Sequence, residues 1–266
     1  MIGAALLTIV AATAVLAPLI MPYDPLHIDM TQKFLPPTSL HLFGTDELGR
    51  DVFSRVVDGS RISFQVAFTV LAIAGVLGVT LGTLAGYRGG LIDEIVMRVA
   101  DIFFAFPSFL LAMAIVAALG PNIQNAILAI GVAWWPRYAR LLRGQVLSIK
   151  NNAYVDAAMA MGASHQRIMT IHILPNCLAP FLVQLTMDAG AAILTAASLS
   201  FIGLGAGPEV AEWGAMVARG RDYIVSYWWV PTFPGLAISL TVAGYMFLGD
   251  GLRDLLDPQL RNRVSF

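Results

Sequence analysis

The chain has 266 residues, of which 58% are hydrophobic and only 12% are charged, and its formal net charge is −1 at pH 7. A soluble domain carries about 25% charged residues, so this composition excludes an ordinary soluble domain and predicts an integral membrane protein. The near-zero charge gives no indication of a nucleic-acid partner, and the single cysteine excludes an internal disulfide.

Six apolar segments have a length suited to a bilayer, which requires about 20 mostly apolar residues per helix. They lie at residues 2–20, 62–86, 99–119, 123–138, 178–204 and 230–248. The first has neither the basic start nor the small-residue cleavage site of a secretory signal peptide, so we expect it to be retained. The expected fold is therefore all-α and membrane-embedded, with about six transmembrane helices.

The loop at residues 22–61 is polar and rich in proline and aspartate. Its sequence GTDELGRD, at residues 44–51, predicts a capped turn, and the following DVFSRVV predicts an amphipathic helix. In the second span, glycine recurs every fourth residue at Gly78, Gly82 and Gly86. This spacing favours close packing of another helix, and a role towards a substrate is the alternative.

Two features of the later spans have both a structural and a functional interpretation. Pro107, after Phe106 in the third span, removes one backbone hydrogen bond, which predicts either a simple kink or a gating hinge. Asp188 is a lone acid near the middle of the fifth span, where a charge is costly. We interpret it either as a functional residue or as a hydrogen-bonding partner of a neighbouring helix.

Basic residues in the loops predict the orientation, because cytoplasmic loops carry an excess of lysine and arginine. With the N-terminus in the cytoplasm, ten basic residues fall on the cytoplasmic side and six fall outside, where the acidic loop residues cluster. The ten are Arg88, Arg98, Arg137, Arg140, Arg143, Lys150, Arg167, Arg253, Arg261 and Arg263. Both termini are therefore predicted to be cytoplasmic.

The stretch DAAMAMGASHQRIMTIHILP, at residues 156–175, lies between the fourth and fifth spans and is too polar to cross a bilayer. Asn151 or Asn152 is a candidate N-cap for a first short helix, which Gly162 can end in the left-handed conformation. Ser164 can cap a second short helix, which we expect to break near Pro175.

Small side chains give the first of these helices a face that another surface can approach closely, formed by Ala157, Ala158 and Ala160. Asp156 lies early in the helix, where a negative charge suits the helix dipole. The residues of this stretch therefore predict a cytoplasmic docking element.

Motifs for chemistry are missing from the sequence. It has no GxxxxGK[ST] phosphate loop, no HExxH and no GxSxG, and GLGAG at residues 203–207 follows no predicted strand. His165, His172 and Cys177 have no common zinc spacing. We therefore expect no ATP site, metal site or catalytic centre in this chain.

Several stretches together resemble the C-type permease subunit of the ABC importers for dipeptides, oligopeptides and nickel. The stretch at residues 156–175 resembles the EAA motif of these permeases, with DAA, then Gly162, then a closing Leu-Pro. Other matching stretches, which extend over nearly everything from residue 44 onward, include GTDELGRDVFSRVVDGSRIS, WPRYARLLRGQVLSIKNNAY and FPGLAISLTVAGYMFLGDGLRDLLDP. The chain departs from the family pattern at Asp156, where Glu is usual, and at Ala196, where many relatives carry an acid.

The resemblance implies a type I ABC importer permease fold in the bacterial inner membrane. An N-terminal span and external loop would occupy residues 1–61, and a permease domain residues 62–266, with its coupling loop at about residues 139–177. A second homologous permease subunit would complete the translocation path as a heterodimer, and an extracytoplasmic peptide-binding protein would deliver the substrate. Two ABC ATPase subunits would bind ATP and Mg²⁺, so this chain is expected to hold no cofactor and to be non-catalytic.

The resemblance also assigns roles to particular residues. Coupling to the ATPase falls to Asp156, Ala157, Ala158, Gly162, Ala163, Ser164, His165, Arg167, Leu174 and Pro175. The positions of the residues within the spans, and not the resemblance, predict a role in the translocation path or in helix packing for Asp188, Gly78, Gly82, Gly86, Phe106 and Pro107.

Short peptides are the expected substrate, and nickel or haem is the alternative within the same fold. Two hypotheses come from other classes of protein. One is a membrane-embedded enzyme that uses Asp188 with the region of Ser198 and Ser200. The other is an ion-driven carrier coupled through Asp188.

Overall fold

A computed structural model of the chain describes residues 1–256. Arg261 and Arg263, which contribute to the predicted orientation, and the end of the predicted permease domain lie outside the described residues. The helices are α1 (Ile2–Ile20), α2 (Val52–Arg88), α3 (Gly90–Phe104), α4 (Ser108–Leu119), α5 (Ile123–Ile149), α6 (Ala153–Ala160), α7 (His165–Arg167), a π-helical segment (Ile168–Ile173), α8 (Leu174–Phe201), α9 (Trp213–Gly220) and α10 (Trp229–Leu256). Within this range there is no strand, and the predicted all-α fold is confirmed.

Four helices are long and apolar enough to cross a membrane, and five if the bent pair α3 and α4 is counted as one span. The four are Ile2–Ile20, Val52–Arg88, His165–Phe201 and Trp229–Leu256. The sequence predicts six, and the difference is α5. This helix packs mainly against α2, α4 and α8, so its polar second half can lie inside the fold. Because that half is polar, length and hydropathy alone do not identify α5 as a span.

The predicted boundary between the external helix and the second span is wrong, because both belong to the continuous helix α2. Asp51 caps its start by accepting a hydrogen bond from the Ser54 backbone N–H at 2.7 Å. Farther along, the Ser63 hydroxyl donates to the Gly59 carbonyl at 2.9 Å, so this polar turn is satisfied within the helix. Residues 52–61 are therefore more polar than the rest of α2, but they belong to the same unbroken helix.

The predicted third span is also discontinuous. The helix ends at Phe104, and α4 starts at Ser108 after a bend of 87°. Phe106 and Pro107 lie in this break and are exposed. Pro107 has an extended backbone, with φ −55° and ψ 128°, and stands at the N-cap of α4. A proline is well tolerated at a helix start, so it separates two helices here and does not merely kink one.

The three glycines of the second span face α5 in the structure. A Cβ at Gly78 would overlap Cβ of Tyr138, and one at Gly82 would overlap the Ala139 backbone. At Gly86 the added atom would come within 2.9 Å of Val146 Cβ. Only glycine lets the two backbones come this close, and the resulting α2–α5 pair forms the centre of the main apolar core.

The helices define two opposite ends of the molecule. At one end lie α6, α7 and the start of α8. The C-terminal end of α10 lies at the same end, because α10 runs antiparallel to α8, with Gly190 against Val242 and Gly249 against Met187. The start of α1 is there too, since Gly3 packs against Leu248. At the other end, the loop at residues 22–51 contacts α9 through Glu47 and Arg219. Trp213 of α9 also binds α2, because its Nε1 donates to the Val56 carbonyl at 2.9 Å.

Candidate functional site

The predicted docking element begins with α6, and its C-terminus forms a Schellman turn. Gly162 has φ +81°, the left-handed conformation expected for it. Its N–H donates to the Met159 carbonyl at 2.9 Å, and the Ala163 N–H donates to the Ala158 carbonyl at 3.1 Å. Asn152 occupies the N-cap position without a side-chain cap hydrogen bond. The first short helix and its glycine end are thus present.

The second predicted helix starts as expected but does not end at Pro175. Ser164 caps it, with Oγ accepting from the Arg167 N–H at 3.4 Å. The chain then stays helical from His165 to Phe201, passing through the π-helical segment at Ile168–Ile173 before Pro175. Pro175 lies in the first turn of α8. Backbone N–H groups in the first turn of a helix have no partner within the helix, so the missing N–H of proline costs little there. The expected break is therefore wrong, because the wider π turns join the two helices.

Of the residues predicted to couple to a partner, some are buried or half-buried within the chain and the others are exposed to solvent. Ala158 is buried inside the chain, where its side chain is 3% exposed, and Ala163 and Leu174 are half-buried. The exposed ones are Asp156, Ala157, Gly162, Ser164, His165, Arg167 and Pro175. A partner that docks here would meet Ala157 and the turn from Gly162 to Arg167, whereas Ala158 holds α6 to its own chain.

Two clefts flank this turn. One, of about 580 Å³, lies between the end of α2 and α6 and is lined by Tyr87, Arg88, Lys150, Asn151, Val155, Asp156, Met159 and His165. The other, of about 530 Å³, is lined by Ala158, Met161, Gly162, Ala163, Ser164, Arg167 and His172. The turn at Gly162 therefore projects between two depressions that can accept protruding side chains of a partner.

Two polar contacts connect the loop to the end of α2. The Tyr87 hydroxyl is 2.8 Å from His165 Nδ1. Lys150 Nζ donates to the Gly86 carbonyl at 3.0 Å, next to the last turn of α2. Sequence reasoning did not identify Tyr87, which is 78 residues away in the chain. These two contacts join the loop to the last turn of α2.

Asp188 is not a lone acid in the structure. It is buried in the middle of α8, and Oδ1 accepts from Arg137 Nη1 at 2.8 Å. Its Oδ2 accepts from the Tyr138 hydroxyl at 2.8 Å and from Gln184 Nε2 at 3.1 Å. Of the two interpretations, the hydrogen bond to a neighbouring helix is therefore present. Arg137, which the sequence counts among the basic residues of the cytoplasmic side, instead lies in the middle of α5.

Arginines recur every third residue along α5 and pair with acids of neighbouring helices. Beyond Arg137, the next is Arg140, which pairs with Asp101 of α3 and lies over the Phe104 ring at 4.1 Å. Arg143 makes a two-pronged pair with Asp93 of α3, with Nη2 at 2.6 Å from Oδ2. These three pairs connect α5 to α8 and α3.

Comparison with known proteins identifies the family. Residues 78–262 match the model of the binding-protein-dependent transport system inner membrane component. The chain belongs to this family. The match includes the glycine stripe of α2, all of α5 and the whole docking element, so the geometry described above is that of an ABC importer permease. It has no group of three or more His, Cys, Asp or Glu within residues 1–256 that could hold a metal ion.

Curated relatives of this inner membrane component are similar over nearly its whole length. A probable D,D-dipeptide transport system permease of Escherichia coli K12 is 48% identical over 263 residues, 99% of this chain and 88% of that protein. A dipeptide transport system permease of Alkalihalophilus pseudofirmus is 44% identical, covering 98% of this chain and 86% of the relative. A glutathione transport system permease of Pectobacterium atrosepticum is also 44% identical, covering 94% and 84%.

Solved structures share the fold. The MetNI methionine ABC transporter in an inward-facing conformation has a TM-score of 0.61 and 21% identity, covering 76% of this chain and 96% of that one. An amino acid ABC transporter has a TM-score of 0.52 and 18% identity, covering 79% and 94%. At these identities the likeness establishes the type I importer permease fold and nothing about substrate.

Proposed function

We propose that this inner membrane component is one permease subunit of an ATP-driven importer of short peptides. The observation that carries the proposal is identity of 44–48% with permeases named for D,D-dipeptide, dipeptide and glutathione transport, over at least 94% of this chain. All three names describe short peptides or peptide-like molecules. The chain would form half of the translocation path, and a second homologous permease would form the other half.

The loop that contains α6, α7 and the Gly162 turn is the proposed coupling site for one ATPase subunit. Its exposed turn, the two clefts beside it and its polar contacts to α2 support this role. The sequence has no phosphate loop, so ATP and Mg²⁺ would be bound by the two ATPase subunits and this subunit would be non-catalytic. A peptide-binding protein would deliver substrate to the opposite end of the molecule.

Both termini would be cytoplasmic in this arrangement. The start of α1 and the end of α10 lie at the same end of the molecule as the loop. Of the ten basic residues that the sequence assigns to that side, nine remain when Arg137 is left out because of its mid-depth position, against six on the other side, and this excess favours the cytoplasmic side.

Copurification and uptake together test the proposal. The tagged chain is isolated from membranes with its partners, and the complex is reconstituted in liposomes with the binding protein and labelled dipeptide. We expect two ATPases and a second permease in the complex, and dipeptide uptake that requires ATP. Uptake of nickel chelates or haem in place of dipeptide would refute the peptide assignment, and uptake without any ATPase would refute the coupling assignment.

A further inference from the structure

The exposed residues in the second half of α5 form a polar stripe. From residue 131 onward, four residues of this helix are exposed: Arg137, Arg140, Gly144 and Ser148. Their spacing of three and four residues places them on one side of the helix. Every other position on this half of α5 is buried or half-buried against the chain's own core.

Arg137 lies at the middle of the membrane-embedded fold. It is 14 residues from the start of α5 and 12 from its end, about 21 Å and 18 Å along the helix axis. Its partner Asp188 is likewise central in α8. The hydrocarbon core is about 30 Å thick, so the Arg137 guanidinium is near mid-depth. Its side chain is 44% exposed at that depth.

Lipid is an unsuitable environment for this exposed guanidinium, because charged side chains at mid-depth face protein or a water-filled cavity. The head group is also held in place. Asp188 is 4% exposed and is fixed from its other side by Tyr138 and Gln184, and the guanidinium carbon lies 5.3 Å from the centre of the Trp134 ring. One edge of Arg137 is thereby bound to Asp188, and the opposite edge points away from the chain's core.

Arg137 has hydrogen-bonding capacity to spare. A guanidinium carries five N–H donors, and among the described residues only Nη1 has a hydrogen-bond partner, Asp188. The carboxylate balances the charge of the arginine without occupying its remaining donors. Such a group can hold carbonyl or carboxylate oxygens briefly, because a net neutral pair does not trap an anion as a lone cation would.

We propose that Arg137 lines the water-filled translocation path and donates hydrogen bonds to the carbonyl and carboxylate oxygens of a peptide in transit. Asp188 acts as its positioning residue. The proposal rests on the proposed function for the identity of the substrate, whereas the unsuitability of lipid around Arg137 follows from burial and charge alone.

Thiol accessibility tests the position of the stripe. In a Cys177→Ala background, Gly144→Cys, Ser148→Cys and the double variant Arg137→Cys/Asp188→Asn are prepared in the assembled transporter. Each is treated with a membrane-impermeant cationic thiosulfonate or with a lipid-soluble maleimide. We expect the stripe cysteines to react with the water-soluble reagent. Ile9→Cys, on the apolar and 64% exposed face of α1, is the control and should react far more slowly than the stripe cysteines, because a thiol in apolar surroundings does not ionise.

If the residue-137 cysteine reacted with the water-soluble reagent as slowly as the residue-9 cysteine does, the proposal would be overturned. Arg137 would then lie against lipid or in a closed interface with the other permease, and not in a water-filled path. Saturating dipeptide in the transporting complex should slow the water-soluble reaction at residue 137 at least about twofold, and no slowing would exclude a peptide contact there.

Transport by Arg137→Lys tests the spare donors. Lysine keeps the ion pair with Asp188 but lacks the second edge of the guanidinium. We expect the maximal rate of dipeptide uptake to fall roughly tenfold to a hundredfold, the loss of one charge-assisted hydrogen bond. The substrate concentration for half-maximal uptake should not change, because it is set at the binding protein. Uptake equal to wild type would refute the contact.

A neutral pair, Arg137→Gln/Asp188→Asn, is the second variant if Arg137→Lys does not assemble, and it leaves no buried charge unpaired. It should reach the membrane with its partners and lose uptake to a similar degree. If the wild-type complex imports no peptide at all, the proposed function fails, while the accessibility result still decides whether the stripe faces water.

Discussion

Gly162 is the residue whose backbone conformation the coupling loop depends on most. At φ +81° it is strained for any other residue, by roughly 1–2 kcal/mol, although its Cβ position is open. Gly162→Asp should therefore leave the protein in the membrane but lower ATP-coupled uptake more than about tenfold, since the turn is distorted and a charge enters the docking surface. Uptake assays in membrane vesicles, normalised to protein level, measure the effect.

A matched control exists at the other end of the molecule. Gly203 follows the last turn of α8 and also has a positive φ, +86°, with open space around its Cβ. It ends α8 in the same Schellman pattern, because its N–H donates to the Ser200 carbonyl and the Leu204 N–H donates to the Leu199 carbonyl. Gly203→Asp therefore imposes the same kind of strain away from the loop and should retain most uptake. Equal losses in the two variants would mean that strain alone explains the defect, and normal uptake by Gly162→Asp would refute the coupling site.

Tyr87 is a second residue-scale test, because its hydroxyl contacts His165 across the loop and α2. Tyr87→Phe keeps the ring and removes a hydrogen bond worth about 0.5–1.5 kcal/mol. We expect fewer peptides imported per ATP hydrolysed, with unchanged assembly, in reconstituted complexes. Tyr154→Phe is the control, since the Tyr154 hydroxyl bonds to the His172 carbonyl within the loop itself. A larger effect from Tyr154→Phe would contradict a link through α2.

Among the elements, α2 and α5 depend on each other through their glycines. Gly78→Ala places a methyl group where Cβ of Tyr138 already lies. The helices must separate, and overpacking of this kind costs about 1–3 kcal/mol. The variant should show a lower melting temperature in detergent. Gly144→Ala lies in α5, where the Cβ position is open. Its melting temperature should equal or slightly exceed that of the wild type, because alanine favours the helix. Equal stability of the two variants would contradict the tight interface.

The elements also show what sequence reasoning captures. The α1 span, the Gly162 turn and the Ser164 cap follow from local rules, since each depends on a run of apolar residues or on one turn residue. The continuity of α2, the 87° bend at Pro107 and the unbroken helix at Pro175 do not. Each of these is decided by tertiary packing, or by a π-helical segment that periodicity does not reveal.

In the candidate site, the exposed turn was predictable from motif and polarity, whereas the partners of its side chains were not. The burial of Ala158 depends on how α6 packs against the π-helical segment, and the contact between Tyr87 and His165 depends on how α7 lies beside the end of α2. The ion pair of Asp188 with Arg137 was hidden for a related reason. The sequence places Arg137 next to the predicted end of the fourth span and counts it on the cytoplasmic side, although α5 continues to Ile149.

At the scale of the whole molecule, the loop and both described chain ends share one end of the fold. Labelling of single cysteines introduced in a Cys177→Ala background should show on which side of the membrane each end lies. Gln166→Cys in α7 should react with an impermeant maleimide only in inside-out vesicles, and Ser39→Cys, in the loop at the opposite end, only in intact cells. The positive-inside rule gives this sense of insertion, and the reverse pattern would overturn it.

The π-helical segment at Ile168–Ile173 lies between the proposed coupling loop and α8. Because of it, the number of residues before α8 does not by itself determine which side of α8 faces α5. One residue added to an α-helix rotates everything beyond it by about 100°, whereas a π turn accommodates the extra residue locally as a bulge. Deletion of one residue from this segment should therefore restore regular α-helix and leave the side of α8 that presents Asp188 to Arg137 at the same azimuth. The mid-membrane ion pair would then stay in register in a shorter loop.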